Sequence, residues 1–306
     1  MKKQSSKRIR GVFSPVVTPF KDNLAVDEDK FVEHCKWLIA NGVSLAVFGT
    51  NSEANSLSMT ERLYLTDTLI ESGVDASRLM PGTGCCSIPE TVKLTRHATE
   101  NGAAGVLMLP PFYYKDLSED GLFAYFSEIV QQVGSDDLRI YLYHIPQVTQ
   151  VPITVSLIAR LLKHYPNTFC GLKDSSGDWA GTQRIIESFA KDGFDVFPGS
   201  EMFMLDALRI GGAGCISATA NVNPKAIVRL YENWKDETAD TLNESVKSLR
   251  KVFQQYAILP AMKETIARYR QEPSWVNVRP PLIRIDELAA SDLKTKLDQL
   301  EFEMTF

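Results

Sequence analysis

The chain has 306 residues, 44% apolar and 23% charged, the proportions of a folded globular protein rather than a disordered or fibrous one. Its net charge of -5 argues against a nucleic-acid-binding surface, and no run of about 18 apolar residues marks a membrane span. The five cysteines (Cys35, Cys85, Cys86, Cys170 and Cys215) are odd in number and scattered, which gives no disulfide framework and fits a reducing, cytoplasmic setting.

Residues 1–10 are basic, and a stretch with two prolines follows, so they read as a solvated N-terminal arm rather than a targeting signal. From residue 11 one pattern repeats. A short apolar run comes first, then a Gly/Pro/Ser/Asn turn, then a longer amphipathic segment. Strand-like runs fall at 11–17, 44–49, 79–82, 105–109, 139–144, 169–173, 195–198 and 214–218. Several are continuously apolar, as parallel strands covered by helices should be. Phe31, Cys35, Leu38 and Ile39 line one helical face after Asp27, and Gly42 ends it. Ser58 with Glu61, and Ser87 with Glu90, read as capping boxes opening the next two helices. Further helices are expected at 119–133, 155–165, 178–190, 202–210 and 224–233.

Eight strands, each followed by a helix, predict an α/β protein with a (β/α)8 TIM barrel over 11–233. An open doubly wound sheet is the alternative, which the eight units disfavour. From Trp234 onward the strand pattern stops, and 234–306 reads as a C-terminal helical appendage packed on the barrel.

In such a barrel the reacting groups lie at the C-terminal ends of the strands and in the loops beyond them. Lys173 ends the apolar run at 169–173. A lysine taken out of water there is a candidate nucleophile toward a carbonyl; the alternative is a side chain snorkelling to solvent. Tyr143 ends the preceding strand. Neighbouring strands are about 4.8 Å apart, so the two side chains would share one small volume if both point inward. A phenol beside an imine-forming amine can move protons; alternatively Tyr143 is a core tyrosine with a satisfied hydroxyl. The segment Gly49-Thr50-Asn51-Ser52 offers N–H groups and hydroxyls suited to a carboxylate, or is an ordinary polar turn. Phe112-Tyr113-Tyr114 reads as a stacking platform, a subunit contact or plain core. No dinucleotide fingerprint, metal-ligand spacing or nucleophile elbow is present, so neither a metal nor an organic cofactor is expected.

The segments GVFSPVVTPF, GTNSE, LPPFYY, YHIP, GLKDSSGD, FPGSE and GGAGCISATANVNP occur in this order between Gly11 and Pro224. Together they resemble the dihydrodipicolinate synthase / N-acetylneuraminate lyase family of pyruvate-dependent class I aldolases. The resemblance implies a Schiff-base lysine at Lys173, a proton-shuttling Tyr143, and Thr50 hydrogen-bonded to that tyrosine. It implies that Tyr113 completes the relay from a neighbouring subunit, in a homotetramer built as a dimer of dimers. Thr50 and Asn51 would hold the carboxylate of a 2-oxo acid, and the carbonyls of Gly199 and Ile216 would line the site.

The departures from the family pattern bear on substrate. Asn51 stands where the family usually has Thr, Ser52 where it has Gly, Phe112 where it has Tyr, and His144 where it has Asn. After Pro146 comes Gln147-Val148-Thr149, where true dihydrodipicolinate synthases resemble Ser-Arg-Thr, the arginine holding the carboxylate of the aldehyde partner. Val148 cannot pair with a carboxylate. The resemblance therefore points to aldol cleavage, condensation or dehydration of a 2-oxo-3-deoxy sugar acid, with pyruvate as the 2-oxo acid half. Synthesis of 4-hydroxy-tetrahydrodipicolinate from pyruvate and aspartate semialdehyde is the alternative, and a non-catalytic ligand-binding barrel is an alternative of another class. Gln147, Val148, Ser175, Glu201 and Ser217 are the expected determinants of substrate choice.

Overall fold

The computed structural model describes residues 9–306, so only Ile9 and Arg10 of the expected N-terminal arm fall within it. Among the described residues seven strands form in chain order: β1 (Gly11–Ser14), β2 (Ser44–Leu45), β3 (Val106–Met108), β4 (Ile140–His144), β5 (Phe169–Asp174), β6 (Asp195–Pro198) and β7 (Gly214–Ile216). All pair in parallel, in two sheets ordered β2-β1-β7 and β3-β4-β5-β6. The expected strand at 79–82 is the stave that joins them. Met80 and Gly82 donate to Leu45 and Val47 at 2.8 and 2.7 Å, and Leu107 donates to Pro81 at 2.8 Å. It stays a pair of isolated bridges because Pro81 has no N–H to give to a ladder. Pro15 likewise follows the end of β1, which is shorter than the run that predicts it. On the far side Ala213 donates to Val196 at 3.0 Å, so eight staves close the ring. At the β1–β7 seam a Cβ on Gly214 (φ 141°) would stand 1.8 Å from the Gly11 carbonyl oxygen, so only glycine fits there.

The helices are α1 (Glu28–Ala40), α2 (Met59–Glu71), α3 (Ile88–Glu100), α4 (Glu119–Val133), a short α5 (Pro146–Thr149), α6 (Val155–His164), α7 (Trp179–Phe189), α8 (Met204–Arg209), α9 (Pro224–Glu232), α10 (Ala239–Phe253), α11 (Ile258–Arg270) and α12 (Glu287–Gln299). Each stave is followed by at least one. The caps form where the side chains predict them. Asp27 opens α1, and Ser58 and Glu61 close a reciprocal box at α2. Ser87 caps α3 through the Glu90 N–H at 3.3 Å, but among the described residues the Glu90 side chain does not return the bond, so the expected box there is only half made.

Phe13, Ala46, Met80, Leu107, Tyr141, Tyr143, Phe197 and Ile216 gather into one buried cluster at the centre of the ring. Two larger apolar layers lie between the strands and the helices around them. The last three helices do not stand apart. Leu249, Val252 and Phe253 of α10 and Met262 and Ile266 of α11 share a core with Val17, Ala218 and Val222 at the strand ends. Fully burying each such side chain contributes about 1.5–3 kcal/mol.

A buried ion pair locks this region to the β2 loop. Lys263 of α11 donates to Glu53 at 2.6 Å and to the Asn277 carbonyl at 2.6 Å, with both charged side chains fully buried. Arg279 N–H serves the other Glu53 oxygen at 2.9 Å. Burial pushes the Lys263 ammonium down to about 8, against the pull of Glu53. Removing one partner leaves an uncompensated charge. Lys263→Ala should therefore lower the unfolding free energy by about 3–5 kcal/mol in a urea titration. A loss under about 1 kcal/mol would show that the pair does not hold the two regions together.

Candidate active site

β4 and β5 run side by side, with Tyr141 paired to Gly171 and Tyr143 paired to Lys173. A Cβ on Gly171 would lie 2.7 Å from the Tyr141 ring, so that position faces the barrel interior. Lys173, two residues on, faces the same way. It is 2% exposed, as is Tyr143, and its Nζ lies 4.2 Å from the centroid of the Tyr143 ring. Among the described residues Lys173 forms no ion pair with a carboxylate. A cation over tyrosine gains about 0.5–2 kcal/mol, less than the several kcal/mol that burying an ammonium costs. Fold stability alone does not account for a lysine here.

The Tyr143 hydroxyl is 3.2 Å from Thr50 Oγ1. Burial raises the phenol, but the Lys173 charge and hydrogen bonds with Thr50, Lys173 and Ser175 outweigh it, and the net shift is downward. A phenol so placed gives up its proton more readily than free tyrosine. Thr50 and Asn51 sit on a single turn of 3-10 helix, Thr50–Ser52. That turn is pinned from below. Thr18 donates to the Ser52 carbonyl at 2.7 Å, and Glu53, in the left-handed region at φ 55°, carries the ion pair to Lys263.

A cavity of about 490 Å³ opens above these groups. Thr50, Asn51, Tyr143, Lys173 and Gly199 all line it, so five of the eight predicted site residues meet there. A Cβ on Gly199 would stand 2.1 Å from Ser175 Oγ, so glycine is what lets the end of β6 close on β5. Three predicted residues lie elsewhere. Ile216 is fully buried, in one core cluster with Phe13 and Tyr143. Tyr113 is 74% exposed and stands edge-on to Tyr114 at 5.4 Å. Val148 is 58% exposed on α5, where its neighbour Gln147 reaches the cavity and donates to the Ser175 carbonyl at 2.6 Å.

His144 has a supporting place. Its Nδ1 accepts the Ile153 N–H at 3.1 Å, tying the end of the α5 loop back to β4. Burial holds the imidazole below its usual value against the pull of Asp174, which keeps Nδ1 an acceptor. Sequence reasoning confined to strand ends missed one wall entirely: Arg250 and Gln254, at the end of α10, and Ile258, which opens α11, line the cavity. The signal available was a pair of polar residues four apart, on one helical face beside the apolar Leu249, Val252 and Phe253.

The family model of the dihydrodipicolinate synthetase family matches residues 8–300. An uncharacterized DapA-like lyase of Chloroflexus aurantiacus is 35% identical over 225 residues, covering 73% of this chain and 74% of that protein. The crystal structure of dihydrodipicolinate synthase from Agrobacterium tumefaciens matches with a TM-score of 0.88 and 31% identity, covering 95% of this chain and 99% of that one. YagE of E. coli K12, a prophage protein of the dihydrodipicolinic acid synthase family solved in complex with pyruvate, matches at 0.86 and 28%, covering 96% and 99%. With a closed eight-stave barrel and a lysine–tyrosine pair at the ends of β4 and β5, this chain belongs to the dihydrodipicolinate synthetase family and is a (β/α)8-barrel lyase of that family.

Proposed function

We propose that this protein is a Schiff-base-forming lyase that cleaves, condenses or dehydrates a 2-oxo-3-deoxy sugar acid, with pyruvate as the 2-oxo acid half. The observation that carries this reading is the Lys173 amine, buried 4.2 Å from the ring of a phenol whose hydroxyl is 3.2 Å from Thr50. The pyruvate held by the solved relative YagE supports it.

Lys173, as the free amine, attacks C2 of the 2-oxo acid, and loss of water leaves a protonated imine. In cleavage, the Tyr143 phenolate takes the proton of the C4 hydroxyl. The C3–C4 bond breaks, its electron pair moves into the iminium to form an enamine, and the aldehyde departs. Tyr143 returns the proton to C3, and water hydrolyses the imine to free pyruvate and the lysine. Dehydration uses the same electron sink: C3 loses a proton and the C4 hydroxyl leaves as water. Thr50 and Asn51 hold the substrate carboxylate. Tyr113 extends the proton path from a neighbouring subunit of a homotetramer. The chemistry calls for no metal or organic cofactor, and the setting is cytoplasmic.

A second reading, condensation of pyruvate with aspartate semialdehyde, is favoured by the name of the Agrobacterium relative. Against it stands Val148 in place of the arginine expected at the α5 turn. Assayed with pyruvate and aspartate semialdehyde, coupled to a dihydrodipicolinate reductase, the protein should show little turnover. A rate matching that on sugar acids would replace the first reading with the second. Lys173→Ala should abolish either activity, and Lys173→Arg should be equally inactive because guanidinium stays protonated. Near-normal turnover in Lys173→Ala would overturn the imine mechanism. Thr50→Val removes a bond that stabilises the phenolate, so Tyr143 rises and the limb on which activity climbs with pH moves upward. The rate should fall by roughly tenfold or more. An unmoved limb would take Thr50 out of the proton path.

A further inference from the structure

The cavity holds a second cation that the imine mechanism does not use. Arg250 reaches it from α10, outside the loops of the barrel itself. Its Nη1 lies 3.4 Å from a Glu201 carboxylate oxygen and 3.3 Å from Ser217 Oγ. Both contacts are long for charge-assisted hydrogen bonds. Glu201 is 1% exposed, and its two oxygens already accept from the hydroxyls of Ser217 and Thr219. Glu201 therefore fixes where Arg250 sits without saturating it. A guanidinium carries five N–H donors, and the buried Nε of Arg250 has no hydrogen-bond partner among the described residues. The acid on the cavity wall, Asp174, is engaged elsewhere, accepting from the Ser176 N–H at 2.9 Å and from Thr182 at 2.7 Å. Much of the rest of the wall is neutral and polar, with Gln147, Ser176, Ser200 and Gln254. The arrangement presents an incompletely paired, fork-shaped donor to whatever fills the cavity beside Lys173.

Its position also matters. Arg250 stands against the ends of β6 and β7, through Glu201 and Ser217, whereas the α5 turn with Val148 lies on the β4 side. β5 and Lys173 run between them. An anion held by Arg250 is thus on the other side of the imine from one held at the α5 turn.

We propose that Arg250 recognises a second anionic group at the far end of the substrate, which makes the substrate a dicarboxylic 2-oxo acid, a 2-oxo-3-deoxy sugar diacid. This rests on the imine reading above and narrows it. A substrate ending in a neutral group leaves guanidinium N–H groups unpaired in a partly dry wall. The lost charged hydrogen bonds correspond to a discrimination of about 10- to 100-fold. A planar fork matches a carboxylate in a way that a lysine at the same place does not.

The test uses two six-carbon 2-oxo acids that differ only at the far end, 2-oxoadipate with a carboxylate and 2-oxohexanoate with a methyl. Each is titrated into the full-length protein and trapped on Lys173 with borohydride, the half-saturating concentration being referred to that of pyruvate in the same variant. The wild type should be half-saturated by 2-oxoadipate at about 10- to 100-fold lower concentration than by 2-oxohexanoate. Arg250→Met should bring that ratio close to one, and Arg250→Lys should keep part of it. A wild-type ratio near one, or the same ratio in Arg250→Met as in the wild type, overturns the proposal. If Arg250→Met does not fold, Arg250→Gln, which can still donate to Glu201, answers the same question by the same ratio. Failure of pyruvate itself to trap in the wild type would overturn the imine reading instead, so the two failures are told apart.

Discussion

An amine enclosed in the ring of strands, with a phenol face for company and no carboxylate partner among the described residues, is the constraint on which the rest of this site depends. The parallel register of β4 and β5 sets Lys173 opposite Tyr143, and side-chain alternation turns both inward. Space has to be cleared for them. Gly171 clears it under Tyr141, and Gly199 clears it beside Ser175. A lysine held this way gains little for the fold. Thr50 then completes the arrangement by holding the phenol oxygen from the neighbouring loop.

The loop that carries Thr50 is short, and a short loop alone would not hold a hydroxyl to within a hydrogen bond. Its stiffness comes from a distant part of the chain. Glu53 ties it to Lys263 on α11, 210 residues away, and Arg279 N–H closes the same carboxylate. The C-terminal helices thus act on the site twice: through Glu53 they brace the turn that carries Thr50, and through Arg250 they furnish a wall of the cavity. In this chain the helical tail lines the candidate site and supports it.

Much of this was legible in the sequence, for physical reasons. Apolar runs bounded by turn residues mark buried parallel strands wherever they occur, and the capping residues Asp27, Ser58 and Ser87 begin their helices as expected. Lys173 and Tyr143 stood out because a strand end is where an apolar run meets an ionisable side chain. The ordered motifs carried the family. Other features needed the third dimension. Strand limits depend on which neighbour can donate, so Pro81 breaks a ladder that its own apolar run does not foretell. Whether Val148 or Gln147 faces the cavity depends on one turn of helix. Arg250 reads in sequence as one more cation on a charged helix. Only the packing of α10 against the end of β6 turns it toward the same space as Lys173.

The central claim is that Lys173 forms an imine with a 2-oxo acid. The most direct measurement is intact mass spectrometry of the folded protein after incubation with pyruvate and borohydride, followed by peptide mapping. The account predicts one reduced pyruvyl group per chain, on the peptide that contains Lys173. No adduct on folded protein, or an adduct on any other lysine, would contradict it.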